Sequence, residues 1–277
     1  MNKILVIGAG GMLGYAVSEY FEKKGFEVKE LRRNEFDIAN DSLEKLDLFV
    51  EGCDIVINCA GVIKPRIEEM SIEDVLKVNS VFPKNLARLC KSKKIKCIHI
   101  TTDCVYSGEK GAYDEDDYFD AEDVYGMTKL AGENSNDCMI LRTSIIGEEK
   151  NQSRSLLEWA LGQKGKEVNG FTNHLWNGVT TVYLAEVIEN IVNNQFYQEG
   201  LFHIHSPNTV DKYELLQIFN KVYDLELNIN ATEGGLAVDR SMSSKYDLSS
   251  KVATKTISEQ VNEMRAFFEE KELLHTY

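Results

Sequence analysis

The stretch ILVIGAGGMLGYAVSEYFEKKG, residues 4–25, decides the fold. An apolar run of strand length leads into glycines at 8, 11 and 14, and a helix-like repeat of apolar residues then runs to Gly25. Side-chain-free positions between a strand and a helix let the backbone approach a pyrophosphate, and the free N–H groups at the helix start favour its charge. The spacing is G-x-x-G-x-x-G on Gly8, Gly11 and Gly14; a G-x-G-x-x-G pattern started on Gly8 and Gly10 fails at Leu13. The stretch therefore predicts a dinucleotide site, with Met12 and Leu13 as further contacts. The competing reading is a tight strand-to-helix turn that holds nothing.

Outward from this turn, the short apolar runs EVKEL (27–31), DIVINCAG (54–61), KCIHITT (96–102) and CMILRTS (138–144) alternate with helical stretches. That order predicts an α/β fold, a Rossmann-type doubly wound parallel sheet. The alternation weakens near residue 150, where EEKNQSRS (148–155) reads as a polar connection. The expected division is a dinucleotide-binding domain over 1–149, with about 178–202 returning to it. A smaller mixed α/β substrate lobe is expected from about 150–177 and 203–277. A parallel sheet beside a second lobe implies a cleft.

The bulk composition excludes several classes. A net charge of −14 disfavours nucleic acid and anionic membranes as partners, since such binders present a basic face. The first apolar run is too short to span a bilayer. The six cysteines form no C-x-x-C pair and no cluster with histidine at zinc-ligand spacing, so no metal is expected. They read as reduced thiols of a cytoplasmic protein.

The cofactor should be legible at the end of the second strand, where a carboxylate would take the ribose hydroxyls of NAD and an arginine the extra phosphate of NADP. VKELRRNEFDI (28–38) puts Arg32 and Arg33 there, with Asp37 and Ile38 closing the segment, so NADPH is expected and NADH is the alternative; Glu30 would reverse this if the strand ended earlier. In VINCAGVIKP (56–65), Cys59, Ala60 and Gly61 would let the third loop lie close to the cofactor. Thr102 ends the fourth strand in CIHITTDCVYSG (97–108), on the sheet edge where ligands bind. DVYGMTKLAGE (123–133) puts Tyr125 and Lys129 on one helix face. A hydroxyl, a phenol and an ammonium can hold a carbonyl oxygen, protonate it and tune that proton. A tyrosine near pKa 10 must drop roughly three units to work near neutrality, about 4 kcal/mol. One charge at about 4 Å in an effective dielectric of about 20 supplies that amount, so Lys129 is expected to lower Tyr125.

The chain resembles the extended short-chain dehydrogenase/reductases, and among them the dTDP-4-dehydrorhamnose reductase branch of sugar-nucleotide enzymes. The resemblance runs nearly end to end through GAGGMLGYAV, VNSVFPKNLA, TTDCVYSGEKGAYDEDD, DAEDVYGMTKLAGE, ILRTSIIG, HLWNGVTT and LFHIHSP, in the family's order. It implies Thr102, Tyr125 and Lys129 as a catalytic triad, Asn79 as the asparagine that supports it, and Asp103 as the acid after the threonine. It further implies hydride transfer from NADPH to a keto carbon of a nucleotide-linked 6-deoxy-sugar, with Tyr125 as general acid. The sugar nucleotide would be met by Asp103, Cys104 and Val105, by Asn173, His174, Trp176 and Asn177 in NGFTNHLWNGVTT (169–181), and by Arg240 in VDRSMSSKYDL (238–248). For the loop residues, packing is the alternative. The family's four-helix pairing implies a homodimer, and the acidic run DEDDYFDAED (114–123) implies turns and helix-start charge.

Departures from the family choose among sister activities. The related 4,6-dehydratases carry Asp-Glu after their threonine, whereas this chain has Asp103 then Cys104, which argues against dehydration. A cysteine at the similar position of GDP-fucose synthases moves protons in an epimerisation, so a bifunctional epimerase-reductase using Cys104, with His174 as its partner, remains open. So does a catalytically silent regulatory subunit, although an intact Thr102, Tyr125 and Lys129 weighs against it. Both dTDP and UDP remain open for the nucleotide, and a product used in cell-surface polysaccharide is expected.

Overall fold

The computed structural model describes residues 2–149 and 155–274, with side chains through 270. The connection expected over 148–155 lies mostly outside the described residues. The chain opens with β1 (Lys3–Ile7), α1 (Met12–Lys23), β2 (Glu27–Leu31), α2 (Leu43–Val50) and β3 (Ile55–Asn58). It continues through α3 (Ile72–Leu76), α4 (Phe82–Ser92), β4 (Lys96–Thr102), α5 (Val124–Gly132) and β5 (Met139–Thr143). The inner strands β1, β3, β4 and β5 are buried almost throughout and read as apolar runs, whereas the edge strand β2 (EVKEL) is buried only at Leu31.

Beyond residue 144 the elements shorten: β6 (Ile145–Ile146), α6 (Leu156–Leu161), β7 (Glu167–Phe171), β8 (His174–Trp176) and β9 (Val179–Thr180). Then follow α7 (Thr181–Asn193), β10 (Gly200–His203), β11 (Val210–Asp211), α8 (Lys212–Tyr223), β12 (Asn228–Thr232), β13 (Val238–Asp239), α9 (Leu248–Val252) and α10 (Ile257–Leu274). The six-stranded sheet runs β10-β5-β4-β3-β1-β2, all parallel. The direction of winding reverses between β1 and β3, which opens a crevice at their carboxyl ends. The smaller lobe is built from β7 with β12, and from β8 between β11 and β13.

Local chemistry sets the element ends. Thr180 accepts from the N–H of Tyr183 to start α7, and Asp211 with Glu214 forms a capping box on α8. The helix α1 buries Leu13, Ala16, Val17, Tyr20 and Phe21 on one stripe against the sheet and α7. The helix α10 packs on both α7 and α8; Phe268 stacks on Tyr15 of α1, and Lys255, just before the helix, bridges to Glu186 of α7 at 2.8 Å. Its own apolar residues Ile257, Val261 and Met264 are fully buried in that core. In the acidic run, Asp123 caps α5 and buried Glu115 accepts from the N–H groups of His203 and Lys245. No described helix is long and apolar enough to cross a membrane.

Candidate active site

The glycine turn divides its work between packing and ligand access. Gly8 has φ +82°, and a Cβ on it would lie 2.8 Å from the Ala60 nitrogen; one on Gly14 would lie 2.2 Å from the Gly8 carbonyl oxygen. These two glycines let β1, β3 and α1 meet. A Cβ on Gly10 would meet nothing within 4 Å, so that position faces open space. Gly11 is the cap of α1, whose first turn has no side-chain cap and no acid, so its N–H groups remain available to an anion. Above the turn lie a cavity of about 490 Å³ and a neighbouring one of about 310 Å³, with Gly10, Gly11, Arg32, Gly61 and Arg66 in the walls of both. Met12 and Leu13 line the larger. A side-chain-free cradle, free donors and an elongated groove fit a dinucleotide.

The smaller cavity reaches the end of β2. That strand ends at Leu31, whose carbonyl accepts from the N–H of Gly8 at 2.9 Å, so Arg32 and Arg33 stand at the tip. Arg32 reaches back to Glu30 at 2.6 Å, which occupies the acid that would otherwise compete for a ribose hydroxyl. Arg32, Arg33, Asp37 and Ile38 all line this end. Asp37 accepts from the N–H of Ala39 at 3.1 Å and lies 3.8 Å from Arg33, so it shapes the turn as well as the wall.

The larger cavity holds Thr102, Asp103, Cys104, Tyr125 and Lys129 together. Thr102 ends β4 level with Thr143 of β5; its hydroxyl donates to Asp103 at 3.2 Å and accepts from the N–H of Cys104 at 3.1 Å. Lys129 donates from Nζ to the Ile100 carbonyl at 3.1 Å, which aims the ammonium along the sheet edge. Asn79 sits in a π-turn at Lys77–Val81; it accepts from the N–H of Val62 at 2.8 Å and donates to the Val62 carbonyl and the Thr128 hydroxyl at 3.1 Å each. It thereby ties the Cys59–Val62 loop to α5. A Cβ on Gly126 would lie 2.3 Å from the Cys104 carbonyl oxygen, and one on Gly132 would lie 2.2 Å from that of Asn79. Two glycines thus bring α5 down onto the loop and the π-turn.

The electrostatics correct one expectation. Burial, with the Cys104 sulfur adding to it, pushes the Tyr125 phenol well above the ordinary tyrosine range, against a lowering hydrogen bond with Thr102. Burial also draws Lys129 down to about 8, opposed by the carboxylate of Glu133. The expected lowering of Tyr125 by Lys129 is therefore not found: desolvation sets the direction, and the named opposing influence is the Thr102 hydrogen bond. Burial raises Asp103 too, with Ser144 and Arg240 pulling the other way, and pushes the Cys104 thiol up to about 12.

The remaining sequence candidates lie elsewhere. The Asn173 amide pairs with both backbone groups of Gly234, His174 Nε2 lies 3.0 Å from the Gly234 carbonyl, and the Asn177 amide pairs with both backbone groups of Met242. Trp176 stacks beneath Gly178, and Val105 is buried against Tyr106. None of these five lines the larger cavity. Arg240 donates from Nε to the Tyr106 carbonyl at 2.8 Å, and its charge acts on Asp103, Cys104 and Asp123. Sequence reasoning missed Arg66, Ser144 and Glu149, which line the larger cavity. Ser144 follows β5 on the ligand-binding edge, so the edge rule that found Thr102 could have found it.

Comparison with known proteins matches residues 1–268 to the model of the RmlD substrate binding domain family. A dTDP-4-dehydrorhamnose reductase of Mycolicibacterium smegmatis is 35% identical over 156 residues, 52% of this chain and 46% of that relative, so the match spans about half of its length. A probable low-salt glycan biosynthesis reductase of Haloferax volcanii is 31% identical over 74% of this chain and 75% of its own. The crystal structure of dTDP-4-dehydrorhamnose reductase from Bacillus anthracis in complex with NADP superimposes with a TM-score of 0.77 at 20% identity, covering 98% of this chain and 100% of that one.

Proposed function

The chain belongs to the RmlD substrate binding domain family, and on that footing we propose that it is an NADPH-dependent reductase of a nucleotide-linked 4-keto-6-deoxy-sugar. The observation that carries this is the convergence of Thr102, Tyr125 and Lys129 on the wall of one cavity that continues to the glycine turn. NADPH, when bound, supplies the hydride. The glycine turn and α1 would hold its diphosphate, Arg32 and Arg33 its 2′-phosphate, and Lys129 its nicotinamide ribose.

Thr102 would turn its one hydroxyl proton from Asp103 to the keto oxygen, and Tyr125 would give its proton to the alkoxide that forms. A phenol held protonated by burial suits an acid that must start the reduction charged with its proton. Lys129, one helical turn from Tyr125 on α5, would place positive charge on the same face as the phenolate left behind. Cys104, held protonated up to about 12, has little thiolate to serve an epimerisation, and His174 lies on Gly234 outside the cavity wall. The reading is therefore reduction alone. The names of the mycolicibacterial and haloarchaeal relatives support a sugar-nucleotide substrate and a role in making a glycan.

Optical assay of NADPH oxidation, with dTDP- and UDP-linked 4-keto-6-deoxy-sugars made in situ by a 4,6-dehydratase, tests the reading. Turnover with one of them is expected and names the nucleotide. Bound NADPH without turnover on either would overturn it.

A further inference from the structure

We propose that Arg66 is a second cationic contact for the cofactor, closing on its diphosphate from the turn that follows β3. This rests on the reading of the groove as an NADPH site. Among the described residues no carboxylate pairs with Arg66, whereas Arg32 is held by Glu30 at 2.6 Å and Arg33 faces Asp37 at 3.8 Å. In a chain of net charge −14, an unpaired guanidinium in the groove wall stands apart from the surface ion pairs. Its place is fixed from below. Pro65 stiffens the Lys64–Glu69 turn, the Arg66 N–H donates to the Ile63 carbonyl at 2.9 Å, and Ile67 and Met70 pack on the buried cluster of Ala39, Val62, Val75 and Val78. Arg66 lines both cavities where they share the glycine turn; Arg33 and Ile38 line only the smaller, Tyr125 and Lys129 only the larger. A ligand running through both presents its diphosphate at that junction. The free N–H groups of α1 supply about half a positive charge there, and a guanidinium adds a full one in a geometry suited to phosphate oxygens.

Isothermal titration calorimetry of the full chain, at fixed ionic strength, distinguishes the phosphate groups. The probes are NADPH, NADH, ADP-ribose and adenosine 2′-monophosphate, against wild type, Arg66→Ala and Arg66→Lys. The alanine variant is expected to weaken NADPH, NADH and ADP-ribose by a common factor of about 10 to 100 and to leave adenosine 2′-monophosphate within about twofold. The lysine variant should recover part of the loss, because the charge remains. Unchanged binding of all four probes by Arg66→Ala would overturn the proposal, as would a loss confined to NADPH and adenosine 2′-monophosphate, which would make Arg66 a reader of the 2′-phosphate. Failure of the wild type to bind either dinucleotide would instead overturn the reading of the groove, and the proposal with it.

Discussion

At the scale of single residues, the site is a set of groups whose proton affinities are set by burial. Tyr125 stays protonated across the working range, so Tyr125→Phe should cut turnover by about 10²- to 10⁴-fold while NADPH affinity, measured by titration, stays near that of wild type. Lys129 carries its proton below about 8 and loses it above. The kcat/KM for NADPH, which reports groups of the free enzyme, should therefore fall as pH rises through about 8, and Lys129→Arg should move that limb to higher pH. A profile flat to pH 10 would contradict the assignment. That Thr102, Tyr125 and Lys129 would line one cavity was legible from their spacing and strand-end position, but the direction of the tyrosine shift was not. It depends on the desolvation of the phenol, which no i, i+4 pattern reports. Likewise Asn173, His174 and Asn177 carry chemistry that suits a sugar, yet each finds a backbone partner 60 or more positions away. Nothing in a local motif discloses such a partner.

At the scale of elements, the site depends on how closely α5 seats on the loop after β4. Gly126 lies one position from Tyr125, and its neighbour across the contact is the backbone carbonyl of Cys104, which cannot rotate away. Gly126→Ala should cost about 1–3 kcal/mol in urea denaturation through overpacking and lower kcat by shifting Tyr125 from Thr102. A variant with wild-type kcat would show that the seating is slack. Most of the strand-turn-helix units up to residue 144 were legible because their inner strands are buried apolar runs and the helices α1 and α4 are amphipathic over eleven or twelve residues. The pieces beyond were not. The strands β8, β11 and β13 have two or three residues each, and β7 pairs with β12 some 60 positions later, so their partners follow from chain return and not from local pattern.

At the scale of the whole molecule, a buried charge network joins the end of α5, through β5, to the edge strand β10. Arg142, with no exposed surface, forks onto Glu133 just past α5 and donates to the Tyr106 hydroxyl at 2.7 Å and to His203 Nε2 at 2.9 Å. His203 passes the contact on by donating from Nδ1 to the Ser243 carbonyl at 2.8 Å. Burial and the Arg142 charge draw this histidine down to about 4, so it stays neutral and can accept from the guanidinium. Arg142→Met should cost about 3–5 kcal/mol of stability by leaving Glu133 buried without its partner, and Glu133→Leu in the same chain should recover most of it. Equal stability of the single variant and wild type would show that the pair is not a fixed part of the core. The same fold places the ends of β1, β3, β4 and β5 on one edge, and the central claim is that hydride crosses that edge to a keto sugar. The measurement that tests it is the fate of deuterium from NADPH carrying deuterium at both positions of nicotinamide carbon 4, read by NMR on the product of a keto sugar prepared beforehand in ordinary water. One deuterium is expected at the former keto carbon and, when the reduction is run in heavy water, no exchange at its neighbours. An unlabelled product would contradict direct reduction by this site, and solvent deuterium at the adjacent carbons would contradict reduction without epimerisation.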